Sequence, residues 1–137
     1  MYILVIDAQG GGIGKQLITA IKKALPDSYI MAVGTNTTAT SAMLKAGANH
    51  AATGENAVMV ACRKADVIVG PIGIVIADSM FGEITPAMAL AISQADTKRI
   101  LIPFRNCDNV IPGVSEFSVG ELIEKAVAEL RNCSPIT

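Results

Sequence analysis

Ten consecutive residues, Ile6-Asp7-Ala8-Gln9-Gly10-Gly11-Gly12-Ile13-Gly14-Lys15, carry the clearest chemical signal in the chain. Glycines between an aliphatic run and a helical pattern let the backbone turn tightly and approach a ligand closely. The free N–H groups and positive dipole end of the helix that follows attract an anion. The chemistry expected of this turn is reception of a phosphate. Gly10, Gly11, Gly12, Ile13 and Gly14 would line the group, the amides of residues 11 to 14 would donate to it, and Lys15 would add positive charge.

The spacing limits which phosphate ligand is implied. A strict G-x-G-x-x-G pattern from Gly10 requires glycine where Lys15 stands. The turn is similar to the short-chain dehydrogenase loop in ending Gly12-Ile13-Gly14, with Ala8 at that pattern's first glycine. It also resembles a deviant P-loop in Gly11-Gly12-Ile13-Gly14-Lys15, but Gln16 takes the place of the hydroxyl that binds magnesium and Gln9 that of the leading glycine. About 20 residues further on, a dinucleotide site offers an acid to the ribose. Here the chain reads Gly34-Thr35-Asn36-Thr37, which leaves Asn36 to hydrogen-bond a ribose or base. A nucleotide or dinucleotide is the expected cofactor class, with no metal.

These residues need a scaffold, and the rest of the chain reads as one. Aliphatic runs at Tyr2–Ile6, Tyr29–Val33, Asn49–Ala52 (weak), Val67–Val69 and Arg99–Pro103 alternate with helical patterns, the signature of stacked β-α units. Lys15 to Leu25 sets Leu17, Ile18, Ile21, Ala24 and Leu25 on one helical face. Further helices are expected at about 38–46, closed by Gly47, and at 55–64, capped by Thr53. Ile74 to Met80 suggests a short helix; Thr85-Pro86 opens another, running to about Ala95. Ser118 with Glu121 forms a capping box for the last. The expected fold class is α/β: one Rossmann-like domain over residues 1–137, with a doubly wound, mostly parallel sheet of about five strands and helices on both faces.

In such a sheet, ligands bind outside the carboxyl ends of the strands where the winding reverses, between the first and fourth strands. The fourth run ends in Gly70-Pro71-Ile72-Gly73, so Gly70 and Gly73 set a second glycine turn across the crevice from the first. Polar residues expected near that rim are Asp7, Asn36, Thr53, Glu55, Asn56, Asp78, Ser79, Glu83 and Asn106. Thr53 and Glu55 also serve as ordinary helix-start residues. Asp78 and Ser79 interrupt an apolar segment and are the more informative pair, and Asp78 joins the candidate ligand contacts. Cys107 reads as an inert thiol and His50 as structural or exposed; with one histidine, the sequence assigns no catalytic residue.

Composition removes several function classes. At 137 residues, 51% hydrophobic but only 4% aromatic, the chain builds its core from aliphatic side chains, as a parallel sheet covered on both faces requires. A net charge of -1 with scattered Lys and Arg argues against nucleic acid as a partner. The longest apolar stretch, Val67 to Ala77, contains Gly70, Pro71 and Gly73 and falls short of the ~20 residues that span a bilayer. The N-terminus lacks the basic segment and cleavage site of a secretory signal, so the expected location is cytoplasmic. Three widely spaced cysteines, Cys62, Cys107 and Cys133, support neither a disulfide framework nor a zinc site.

The blocks VIDAQGGGIGKQL, GTNTTATSAMLKAGANHAATGEN, VGPIGIVIADSMFGEITPAMALAI and ILIPF together resemble a family of small bacterial proteins classed as a domain of unknown function. The resemblance covers nearly the whole chain. It implies a Rossmann-like domain and nucleotide binding, with no activity, substrate or catalytic residue to carry over. Two functions follow as expectations. One is binding of a nucleotide or phosphorylated small molecule at the first glycine turn. The other is a regulatory or partner subunit that associates, as a homo-oligomer, through the apolar stretches Val67–Ala77 and Ala87–Ile92.

Overall fold

The aliphatic runs become strands because each has both faces covered, which rewards unbroken Val, Ile and Leu over alternation. The computed structural model describes residues 1–103 and 109–133. Its strands are β1 (Tyr2–Asp7), β2 (Tyr29–Gly34), β3 (His50–Thr53), β4 (Val67–Pro71) and β5 (Lys98–Ile102). They form one sheet in the order β3-β2-β1-β4-β5, and every pairing is parallel. The winding reverses between β1 and β4, so the fold is the doubly wound, Rossmann-like one.

The helices are α1 (Gly12–Ala24), α2 (Thr37–Lys45), α3 (Glu55–Cys62), α4 (Pro86–Gln94) and α5 (Val119–Arg131). Alternate residues of each central strand feed two cores. Ile3 and Val5 of β1 meet Leu17, Ile18 and Ile21 of α1, Met43 of α2 and Ile123, Val127 and Leu130 of α5. Leu4 and Ile6 meet Val58 of α3 and Met88 and Ile92 of α4 on the opposite face. The Thr85 hydroxyl accepts from the Met88 amide at the start of α4, and Ser118 and Glu121 cap α5 reciprocally. No helix among the described residues is long and apolar enough to cross a membrane.

Four local expectations are corrected. Helix α1 begins at Gly12, three residues earlier than its apolar pattern, because Gly12 and Gly14 have no side chain to register in a periodicity. Thr53 does not cap α3; the N-cap is Gly54, with φ 103°, and the Thr53 hydroxyl pairs with that of Thr40 at 2.7 Å. Ile74–Met80 is not a helix: a 3-10 turn over Ile72–Val75 gives way to a left-handed turn. The apolar stretches read as an association surface are largely core. Val67 to Pro71 is the buried strand β4, and Ile74, Met88, Ala89 and Ile92 are buried too, so Leu90 is the exposed large side chain of α4.

Candidate functional site

At the carboxyl ends of β1 and β4 the structure opens a cleft of about 730 Å³. One wall is the first glycine turn, from Asp7 to Ile13 with Gln16; the other is Pro71, Ile72 and Gly73 with the segment Asp78–Phe81; Val119 also lines it. The cleft lies where ligands bind in doubly wound sheets, and its volume is in the range of small-molecule sites.

The glycine turn is held from beneath by Asp7. This residue is 4% exposed, and its carboxylate accepts the Ala8 amide at 2.8 Å and the Gly14 amide at 2.7 Å. Burial pushes the Asp7 carboxyl above its ordinary value, against the pull of the Gly14 and Ala8 amides; the charge of Glu83 pushes it up further. From the side the turn is held through Gln9, whose φ of 52° is left-handed. Its N–H donates to Glu83 at 2.9 Å and its carbonyl accepts from the Asn36 side-chain amide at 3.0 Å. Such backbone persists only where its surroundings fix it.

Glu83 is the residue that closes this arrangement. It arrives from the segment after β4 and crosses to the end of β2, accepting from the Thr35 hydroxyl at 2.7 Å and the Asn36 amide at 2.6 Å as well as from Gln9. Burial raises its carboxyl, but the hydrogen bonds from Thr35, the Gln9 amide and Asn36 outweigh that and hold it below its ordinary 4.5. The sign of the pH dependence follows from linkage. The stability Glu83 contributes is complete above pH 4.5 and lost as pH falls through the depressed folded value. Asp7 acts in the opposite sense, contributing most below its ordinary 3.8 and less as pH rises through its raised value. We predict that the unfolding free energy lost on Glu83→Gln is largest near neutral pH and shrinks as pH falls below about 4.5. Urea titrations of both proteins at several pH values check this; an undiminished difference at about pH 3 contradicts it.

The four glycines of the turn divide into two kinds. Gly11 has φ 72°, and a Cβ there would lie 3.0 Å from the Ala39 backbone, while one on Gly14 would meet Met43 and Asp7. The fold therefore requires glycine at Gly11, and at Gly14 a side chain enters only if Met43 moves. Gly10 and Gly12 have ordinary φ, and a Cβ on either would meet nothing within 4 Å. Among the described residues their N–H groups have no acceptor, whereas Gly11 donates to Ala8 at 3.0 Å and Gly14 to Asp7.

Not all the expected contacts converge. Gly10, Gly11, Gly12, Ile13, Gly73 and Asp78 line the cleft, with Asp7 and Ser79. Gly70 lies buried inside β4, where a Cβ would collide with the Ile6 carbonyl. Lys15 lines another groove, between α1 and α2, of about 770 Å³, together with Thr37, Thr38, Ser41 and Lys45. The Asn36 side chain is outside the cleft lining: it caps α2 by accepting the Ala39 amide at 2.9 Å and braces Gln9 and Glu83. Glu55 sits near the same rim and accepts from Thr85 at 3.0 Å. Asn106 and Cys107 lie outside the described residues. Met80, Phe81 and Val119 line the cleft without any pattern in the sequence that marks them, and Gly82 is the single local sign of a turn beside them.

The described residues contain no group of three His, Cys, Asp or Glu side chains placed to hold a metal. The Cys62 thiol is pushed up to about 11 by burial, which makes it a poor nucleophile. His50 lies at the far, amino-terminal end of the sheet, with Nδ1 at 2.9 Å from the Tyr29 hydroxyl.

Several solved structures are similar to this chain, a dehydrogenase and a decarboxylase among them. An apo histidine-tagged saccharopine dehydrogenase (L-Glu forming) from Saccharomyces cerevisiae matches at 13% identity and a TM-score of 0.48. The match covers 84% of this chain and 23% of the dehydrogenase, so the chain spans about a quarter of that protein. A dodecameric FMN-dependent Ubix-like decarboxylase from Escherichia coli O157:H7 matches at 13% identity and a TM-score of 0.44, covering 96% of this chain and 92% of the decarboxylase. No curated protein matches the sequence. The family model described as a domain of unknown function (DUF3842) matches residues 2–134, and the chain belongs to that family.

Proposed function

We propose that this protein binds a mononucleotide or a similarly sized phosphorylated molecule in the cleft between β1 and β4, with the phosphate on the amides of Gly10 and Gly12. The observation that carries this reading is that the fold itself does not require glycine at either position: ordinary φ, open space where a Cβ would stand, and an N–H without an acceptor among the described residues. A ligand approaching the backbone supplies the missing reason, and the start of α1 supplies the favourable dipole. Asp7 and Glu83 bind amides on either side of these two, so the turn is fixed before a ligand arrives.

The same geometry favours a mononucleotide over a dinucleotide. The adenosine ribose of a dinucleotide lies at the end of the second strand. There, the Glu83 carboxylate already engages Thr35 and Asn36. Lys15 and Lys45, facing the neighbouring groove, supply positive charge outside the cleft rather than a direct contact within it.

Calorimetric titration tests the reading. AMP is expected to bind saturably and NAD at least about tenfold more weakly, because NAD must displace the Glu83 contacts, a cost of about 1.4 kcal/mol or more. Equal affinity for the two, or no saturable binding by AMP or other mononucleotides, overturns it.

A further inference from the structure

Beyond the phosphate seat, the opposite lip of the cleft carries an aromatic ring that folding does not use. Phe81 is 98% exposed yet lines the cleft. It stands on a left-handed turn in which Asp78, Met80 and Phe81 have φ of 64°, 54° and 58°, followed by Gly82 at 84°. Each non-glycine residue in that conformation costs about 1 kcal/mol or more. The turn is nonetheless firmly tied. Asp78 N–H donates to the Ile84 carbonyl at 2.8 Å, Gly82 N–H to the Asp78 carbonyl at 3.2 Å, and the Ser79 hydroxyl to the Gly73 carbonyl. Ile84 is fully buried, and Glu83 is bound to the end of β2.

We infer that Phe81 is a stacking platform that selects ligands carrying a planar heterocyclic ring, with the ring packed on Phe81 while the phosphate rests on Gly10 and Gly12. The inference builds on the phosphate seat proposed above. A strained but fixed turn that lifts a phenyl ring into water gains nothing from burial, whereas a backbone already fixed at the lip of the cleft leaves only the two side-chain torsions of Phe81 to be ordered when a second ring stacks on it. Stacking on an aromatic side chain tolerates any base, because every base has a π-face. The ligand class is therefore defined by having a ring and a phosphate, rather than by one base.

The test compares AMP and UMP, which carry a ring, with ribose 5-phosphate, which does not. In wild-type protein the nucleotides are expected to bind about 5- to 150-fold more tightly than ribose 5-phosphate. Phe81→Ala and Phe81→Leu should each remove that preference and leave ribose 5-phosphate binding unchanged; the leucine keeps apolar bulk but has no ring face. Phe81→Trp places a single tryptophan in a chain that has none. Its fluorescence should be quenched by AMP and not by ribose 5-phosphate. If nucleotides and ribose 5-phosphate bind wild type equally, or if nucleotide affinity survives Phe81→Ala, the stacking inference falls while the phosphate seat stands. If no phosphorylated ligand binds at all, both fall.

Discussion

Gly12→Val is expected to lower affinity for a phosphorylated ligand by about 100-fold while leaving the folded protein as stable as wild type. The side chain enters open space, so no packed atom has to move. Valine also fits a helix start better than glycine, so stability should change by less than about 1 kcal/mol. In the cleft the same side chain would stand between the backbone and the proposed phosphate and cut off the Gly10 and Gly12 amides. Losing two hydrogen bonds to a charged group costs about 3 kcal/mol, or about two orders of magnitude in affinity. Gly11→Val is the internal contrast: with φ 72° and the Ala39 backbone 3.0 Å from the added Cβ, it should destabilise the fold itself. Thermal unfolding and calorimetry on both variants separate the effects. A Gly12→Val protein that unfolds early, or that keeps its affinity, contradicts the division of the glycines into fold and ligand positions.

The largest expected effect on stability belongs to Gly70→Val. Gly70 sits inside β4, buried on both faces, and β4 pairs with β1 in register from Ile3↔Val67 to Val5↔Val69. A Cβ at residue 70 would run into the carbonyl oxygen of Ile6 and the side chain of Ile74. The carbonyl belongs to the central strand and cannot turn aside as a flexible side chain can. Overpacking at such a point costs about 3 kcal/mol or more, a large share of the roughly 5–15 kcal/mol that stabilises a domain. The midpoint of thermal unfolding, followed by circular dichroism, should drop by about 10 °C or the protein should fail to accumulate in folded form. A midpoint within about 2 °C of wild type would show that the β1–β4 seam is looser than described.

The framework of the protein is legible in its sequence because burial on two faces and end caps leave local marks. The aliphatic runs ending at Ile6, Val33 and Val69, the Leu17-Ile18-Ile21 face, the Thr85 cap and the Ser118–Glu121 box all appear in the structure near their expected places. The position of the crevice follows from strand order, which the sequence suggests only by the usual pattern of such sheets and the structure supplies. What escapes is whatever depends on distant partners. Glu83 and Gln9 are 74 residues apart, and nothing near either announces the bond. The left-handed turn at Asp78–Gly82 has no periodicity, because positive φ in Asp, Met and Phe is imposed by the ties at Ile84 and Glu83 and not by local preference. Lys15 reads as part of the phosphate loop until α1 is seen to start at Gly12, which places it on the helix face toward α2. The apolar stretch Val67–Ala77 similarly looks like a contact surface until the sheet order makes Val67–Pro71 an interior strand.

The four glycines of the first turn look alike in one dimension. Only their neighbours in three dimensions divide Gly11 and Gly14, which the folded chain crowds, from Gly10 and Gly12, which it leaves open. The most direct measurement on that division is an amide NMR titration of the isotopically labelled protein with AMP. The Gly10 and Gly12 cross-peaks are expected to shift most and to saturate together with the calorimetric isotherm. Saturable shifts confined to Lys15, Thr37, Thr38, Ser41 and Lys45, with Gly10 and Gly12 unmoved, would contradict that expectation and place the ligand in the groove between α1 and α2.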